Sequence, residues 1–241
     1  QISSEEVINL LYGGKVPRSL KHKPPPIGYA NEAPDFAGNL HGPDGKLWRI
    51  RLAEPWSPDD KDSAKYRGPV AAKPYLYFSK RFDWKTLFAD SSKIIYLTEG
   101  EKKAEKASKE GFPAIGICGV FNWMADKKPI AEFRNLPWAG HKVKVVFDSD
   151  RRTNQDIRRA EDMLADFLIE QNAIPHVVEL PTLNGSLKTG VDDFFVHYKK
   201  AAKTKFIQLP EKNFLMLDGS TAADLLKQKL PEVRWAVQGL I

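Results

Sequence analysis

Five carboxylates in this 241-residue chain sit where they could work together. The run KVKVVFDSDRR (Lys142 to Arg152) is apolar and β-branched, then ends abruptly in Asp148 and Asp150, one residue apart. The run KIIYLTEG (Lys93 to Gly100) ends in Glu99 before a glycine, and a third segment, Gly190-Val191-Asp192-Asp193, leads into apolar FFV. Unpaired carboxylates repel, by roughly 4 kcal/mol for a pair 4 Å apart at an effective dielectric of ~20. If folding brings the five together, hard divalent cations with oxygen ligands, Mg²⁺ or Mn²⁺, would offset that repulsion. Cations held this way orient phosphate oxygens and neutralise the charge of phosphoryl transfer. The plainer reading makes Asp148-x-Asp150 a turn and helix-capping network, and Glu99 an acid favoured at a helix start, a place Glu101 fills better.

The elements that would position these acids can be read from the pattern. KIIYLTEG, FPAIGICG, KVKVVFDSD and PHVVELP are strand-like, and EKKAEKASKEG, NQDIRRAEDMLADFLIEQN and DDFFVHYKKAAK are helix-like. In the long helix Ala160, Met163, Leu164, Phe167 and Leu168 recur at i, i+3, i+4, i+7 and i+8, so one face is buried. Near-continuous apolar strands alternating with helices indicate an α/β fold with a parallel sheet over residues 91–210. In such a sheet ligands bind at the carboxyl ends of the strands, where the acids fall.

Residues 1–90 read as a smaller mixed or mostly β lobe. KHKPPPIGYANEAPDF is extended or loop-like, because proline lacks a donor and restricts its predecessor. Pro43-Asp44-Gly45 turns into a strand in which Arg49 and Arg51 alternate with Trp48, Ile50 and Leu52, so the two arginines share a face that could bind template. KPYLYFSKRF is another short strand. Trp48, Trp84 and Trp123 are expected in the core. Residues 211–241 form a tail with a short strand at FLMLDG and a helix capped by Thr221 and Asp224.

The net charge of +6 favours a polyanionic partner. Its excess is spread evenly, 14 basic against 11 acidic residues in 1–90 and 19 against 16 in 91–210, so a nucleic-acid surface must be assembled by folding. The single cysteine, Cys118, excludes an intrachain disulfide and a cysteine-cluster zinc site, and points to a reducing, cytoplasmic setting. No apolar run approaches the ~20 residues of a membrane span, and no signal peptide is evident.

Strand-Glu-Gly, strand-Asp-x-Asp and Gly-x-Asp-Asp together resemble the TOPRIM domain of primases, topoisomerases and small nucleases. FDSDRRTNQDIRRAE, LPTLNGSLKTGVDDFFV and AKYRGP (with Lys65-Tyr66) are similar to the primase versions, and the whole from Gly38 to Lys200 resembles an uncharacterised TOPRIM-like family in replication proteins of plasmids, phages and other mobile elements. EVRWAVQGLI resembles the lead-in to a RecA-fold hexameric helicase domain, so the chain is expected to be the N-terminal part of a primase-helicase. The resemblance implies Glu99 as general acid/base, Asp148, Asp150, Asp192 and Asp193 as metal ligands with Asp192 ahead of Asp193, and Lys65, Lys102 and Arg151 on phosphates or nucleic acid. Gly100 would allow close backbone approach. With one cysteine the chain departs from such primases, which usually carry a zinc module.

The reading expected is metal-dependent nucleotidyl transfer, primer synthesis from nucleotide triphosphates on single-stranded DNA. A TOPRIM nuclease and a non-catalytic DNA-binding or docking module of a hexameric helicase are its alternatives.

Overall fold

The computed structural model describes residues 11, 27–32, 34–38, 48–56, 64–68, 72–152, 154–183, 185–186 and 188–214. The expected α/β architecture is present as a six-stranded, mostly parallel sheet flanked by helices, beside a small three-stranded antiparallel sheet. The small sheet has the order β1 (Ile27–Glu32), β2 (Trp48–Trp56), β3 (Ala64–Arg67). In β2, Ile50 and Leu52 are fully buried and Arg49 and Arg51 take the alternate positions, as a strand with one packed face requires. IGYANE, which its upstream prolines suggested as loop, pairs with β2 as β1. A ladder partner satisfies its backbone groups despite the neighbouring prolines.

The large sheet runs β11-β10-β9-β5-β6-β4. Along the chain come β4 (Leu76–Phe78), α1 (Trp84–Phe88), β5 (Ile95–Glu99), α2 (Glu101–Lys109), β6 (Ala114–Ile117), a hairpin of β7 (Met124–Ala125) and β8 (Lys128–Pro129), and α3 (Ala131–Arg134). Next are β9 (Lys142–Val146), a 3-10 turn at Ser149–Arg152, α4 (Gln155–Glu170), β10 (Ile174–Val178), α5 (Val191–Tyr198), a second 3-10 turn at Lys199–Ala201, α6 (Ala202–Ile207) and β11 (Glu211–Asn213). The four central strands are parallel, while β4 and β11 add antiparallel edges from outside residues 91–210. The strand at FLMLDG and the capped tail helix lie outside the described residues, as does the Trp48 side chain.

Both sheet faces are covered. Leu97, Ile115 and Val145 pack on one side with Phe88, Phe133, Leu164 and Phe167, while Tyr96, Ala114 and Val146 pack on the other with Ala104, Ala107, Phe194 and Phe206. Burial on two faces is why these strands lack alternation. Trp84 and Trp123 are core residues. Helix α4 buries Ile157, Ala160, Leu164, Phe167 and Leu168, and Asn154 caps it by accepting from the Asp156 N–H. Among the described residues no helix is long and apolar enough to cross a membrane.

The strand order places the ligand-binding edge. From β5 the chain crosses to β6 on one side, then returns to β9 on the other. The direction of winding therefore reverses at β5, and a crevice opens at its carboxyl end, where parallel α/β sheets bind ligands.

Candidate active site

Glu99 ends β5, and Asp148 lies two residues beyond Val146, which is opposite Thr98 in the parallel register. Two carboxylates thus stand side by side at the reversal point. The chain then turns through Ser149–Arg152, which carries Asp150. The third segment is fastened by Ser149: its N–H donates to the Thr189 carbonyl (3.0 Å), and the Thr189 N–H donates back to Ser149 Oγ (2.8 Å). This pair lays Gly190 and the start of α5 against Asp148. A Cβ at Gly190 would lie 2.7 Å from Asp192 Oδ1, 2.8 Å from Lys103 Cε and 3.3 Å from Asp148 Oδ1. Its φ of −89° suits any residue, so crowding by the Asp192 and Lys103 side chains, not backbone conformation, favours glycine here.

The glycine after Glu99 has a different reason. Gly100 has φ +89°, which turns β5 into α2, and a Cβ on it would meet open space. Its backbone is also approached closely within the fold: a Cβ at Gly116 would meet the Gly100 carbonyl oxygen at 3.0 Å.

Two lysines face the acids. Lys103 Nζ lies 2.6 Å from Asp148 Oδ1 and 3.8 Å from Glu99 Oε2. Lys188 Nζ lies 3.0 Å from Asp148 Oδ2. The Asp148 side chain is only 3% exposed. For Lys188 burial lowers the pKa, but the hydrogen bond and charge of Asp148, with Glu99 and Asp150 behind it, outweigh burial and hold the ammonium above its ordinary value. Neither lysine stood out in the sequence. In the EKKAEKASK run only Lys106 and Lys109 read as a solvated face, and the i,i+4 spacing from Glu99 could have found Lys103.

A cleft of about 120 Å³ opens beside the acids, lined by Arg49, Tyr66, Glu99, Lys102, Lys103 and Asp192 among others. Lys102 is exposed at its rim. Arg49 reaches in from the small sheet, its guanidinium 5.6 Å from the Tyr66 ring centroid and donating to the Cys118 carbonyl at 3.0 Å. It lies 3.7 Å from Glu101 Oε1. Arg51 is on the same side of β2, opposite Tyr66. Glu101 is more than a helix-start acid. It is buried and accepts from Tyr75 Oη (2.5 Å) and Cys118 Sγ (3.2 Å). Burial, then the neighbouring charges, push the Tyr75 hydroxyl and the Cys118 thiol well above their ordinary ranges. The small sheet is thus tied to the large one through a buried polar knot beneath the cleft.

The other expected site residues occupy the margins. Asp193 Oδ2 accepts from the Gly190 N–H at 3.1 Å, closing the first turn of α5. Lys65 is in β3 beside Tyr66 and Arg151 is in the 3-10 turn beside Asp150, and both side chains lie outside the described residues.

The donor chemistry of Glu99, Asp148, Asp150 and Asp192, all carboxylate oxygens, suits a hard divalent cation. The arrangement does not present them ready-made. Among the described residues no three of Asp, Glu, His or Cys stand close enough together to hold a metal ion. Both oxygens of Asp148 are engaged by ammonium groups instead.

A family model described as a domain of unknown function (DUF3854) matches residues 83–202. No curated protein matches the chain. Among solved structures the chain is similar to the Aquifex aeolicus primase (zinc-binding and RNA polymerase domains) at 14% identity and a TM-score of 0.48, over 76% of this chain and 40% of that one. It is also similar to a DnaG primase catalytic domain bound to ssDNA, at 14% identity and a TM-score of 0.47, over 75% and 52%. The RNA polymerase domain of Mycobacterium tuberculosis primase DnaG gives 16% identity and a TM-score of 0.44, over 74% and 54%. This chain therefore spans about half, or less, of the length of the chains it resembles.

Proposed function

We propose that this chain is the TOPRIM-type part of a nucleic-acid enzyme that transfers nucleotidyl groups with Mg²⁺ or Mn²⁺. Its reaction would be primer synthesis on single-stranded DNA in a mobile-element replication protein, ahead of a RecA-fold helicase domain. One observation carries this reading: acids from three distant segments, Glu99, Asp148 and Asp192, gather at the strand-order reversal, beside a cleft lined by Arg49 and Lys102. Asp148, Asp150 and Asp192 would hold the cation. When bound, it would polarise phosphate oxygens and neutralise the departing pyrophosphate. Glu99, half-exposed at the cleft wall, would accept the proton of the attacking 3′-hydroxyl as its oxygen bonds to the α-phosphorus and the bond to pyrophosphate breaks. Arg49, Arg51 and Lys102 would hold template or triphosphate through charge-assisted hydrogen bonds.

A second reading has an observation of its own. Asp148 has a lysine ammonium within ion-pair distance of each of its oxygens, as in a module that binds DNA or docks a helicase ring without catalysis.

One gel separates them. The chain is incubated with single-stranded DNA, labelled nucleotides and Mg²⁺ or Mn²⁺, beside Glu99→Gln. Metal-dependent extension products lost in the variant are the expected result. Shortened DNA lost in the variant would make the enzyme a nuclease working through the same acids. DNA binding without products from either protein would favour the docking module. Affinity for DNA should fall steeply with salt, and a flat response would remove the phosphate-binding cleft from the account.

A further inference from the structure

Lys103 stands where an acidic cluster of this kind would hold its cation. Its ammonium is 2.6 Å from Asp148 Oδ1 and 3.8 Å from Glu99 Oε2, and its Cε, with Asp192 Oδ1, crowds the space over Gly190. One positive charge therefore lies between Asp148 and Glu99, with Asp192 of a third segment beside its stem. The members of this group differ in freedom. The Asp148 side chain is 3% exposed and fixed by the end of β9, whereas the Lys103 side chain, 19% exposed, hangs from the first turn of α2 on a four-carbon stem. Lys188, on the loop before α5, is 57% exposed and takes the opposite oxygen of Asp148.

A divalent cation binds carboxylate oxygens at about 2.1 Å for Mg²⁺ and tolerates little distortion. It cannot share Asp148 Oδ1 and Glu99 with an ammonium already seated between them, because both the space and the repulsion between like charges forbid it. The stem of Lys103 borders the cleft that also holds Lys102 and Arg49, so the ammonium has somewhere to go.

We propose that Lys103 is a built-in counter-cation: it holds the carboxylates together while no metal is bound and is displaced towards the cleft when a divalent cation enters. This rests on the reading of the acids as a cation site. The binding strength of the metal is then set by competition with a side chain of the protein itself. Lys103 is a positioning residue in one state and a competitor in the other.

The test is Mn²⁺ titration of the chain, with free Mn²⁺ read by electron paramagnetic resonance, on wild type, Lys103→Met, Lys103→Arg and Asp148→Asn. Thermal melting with and without Mn²⁺ accompanies each. Lys103→Met should bind Mn²⁺ at least tenfold more tightly than wild type, melt lower without metal, and gain more in melting temperature from Mn²⁺. Lys103→Arg should bind as wild type does, and Asp148→Asn should lose binding. Binding by Lys103→Met where wild type shows none would support the proposal in its strongest form. A purely structural role for Lys103 would leave Mn²⁺ affinity equal or weaker in Lys103→Met, and that result overturns the proposal while the cation site stands. Absence of Mn²⁺ binding in both proteins overturns the proposal and the cation site together. Should Lys103→Met fail to fold, Lys103→Gln keeps a donor towards Asp148, and the same gain in affinity is required of it.

Discussion

Strand β9 carries charge at both ends, and each end builds a triad of one carboxylate and two ammonium groups. At its start Lys142 and Lys144 meet Glu211 of β11 at 2.7 and 2.8 Å, with His176 Nδ1 3.4 Å from the same carboxylate. At its end Asp148 meets Lys103 and Lys188 at 2.6 and 3.0 Å. Locally the two triads are mirror images. Their surroundings are not. The first has two lysines against one acid, and burial and the lysines keep His176 below its ordinary pKa, so no further cation is called for. Glu211 also helps to raise Tyr96, through burial first, to about 12. The second has Glu99, Asp150 and Asp192 around Asp148, four carboxylates against two ammonium groups, next to an open cleft. An ion triad alone therefore marks no site. Surplus charge of one sign beside accessible space does.

The largest effect should come from removing the buried acid. Asp148→Ala strands Lys103 and Lys188 and should cost about 3 kcal/mol, a fall of roughly 10 °C in Tm for a chain of this size. Equal losses for Asp148→Ala and Glu211→Ala would break the comparison, since the Glu211 triad is more open to solvent. Next comes Gly190→Ala. The atoms its methyl would strike are the ends of Asp192 and Lys103, which can move aside, so folding should suffer little. The acids would be spread, and the nucleotidyl-transfer rate should drop about 100-fold, the order expected for an ångström of misplacement. Retained activity would mean that Asp192 has no part in the site. Glu211→Ala should cost only about 1 kcal/mol, seen as a Tm lower by roughly 3 °C, with activity unchanged. A loss of activity there would show that β11 reaches the site.

How much of this the sequence announces depends on the range of the interaction. The four central strands and α4 are legible because two-sided burial and the 3.6-residue period leave local marks, as Ala160, Leu164, Phe167 and Leu168 show. Of the two edges, β4 is legible as the short strand in KPYLYFSKRF, whereas β11 spans three residues, too short to carry a period. Glu99, Asp148 and Asp192 could be marked by type and position, and the strand order brings them together. What escaped notice is non-local pairing of ordinary residues: Ser149 with Thr189, Glu101 with Tyr75 and Cys118, Lys188 with Asp148. Lys103 was hidden by its neighbours, because four lysines on one short helix look alike until the rotation of the first turn selects the one that faces Asp148. The β1 strand was masked by three prolines just before it.

The smallest effect sharpens the comparison through pH. His176 is held below its ordinary value of 6.5, by burial first and then by Lys142 and Lys144, with Glu211 opposing. Its unfolded form binds protons that its folded form refuses, so its contribution to stability is full above pH about 6.5 and is lost as pH falls through the lower folded value. Glu211 is also lowered. Burial alone would raise it, but its hydrogen bonds and ion pairs with Lys142 and Lys144 prevail. Its contribution is present above its ordinary 4.5 and lost as pH falls below that. Both shifts have the same sign, so Tm should decline in two steps on acidification, the first below pH 6.5 from His176 and the second below 4.5 from Glu211. His176→Gln should remove the first step and leave the second. If the variant tracks the wild-type curve from about pH 8 to 5, the acid sensitivity lies elsewhere, and the triad at the start of β9 has no titrating member above the carboxylate range.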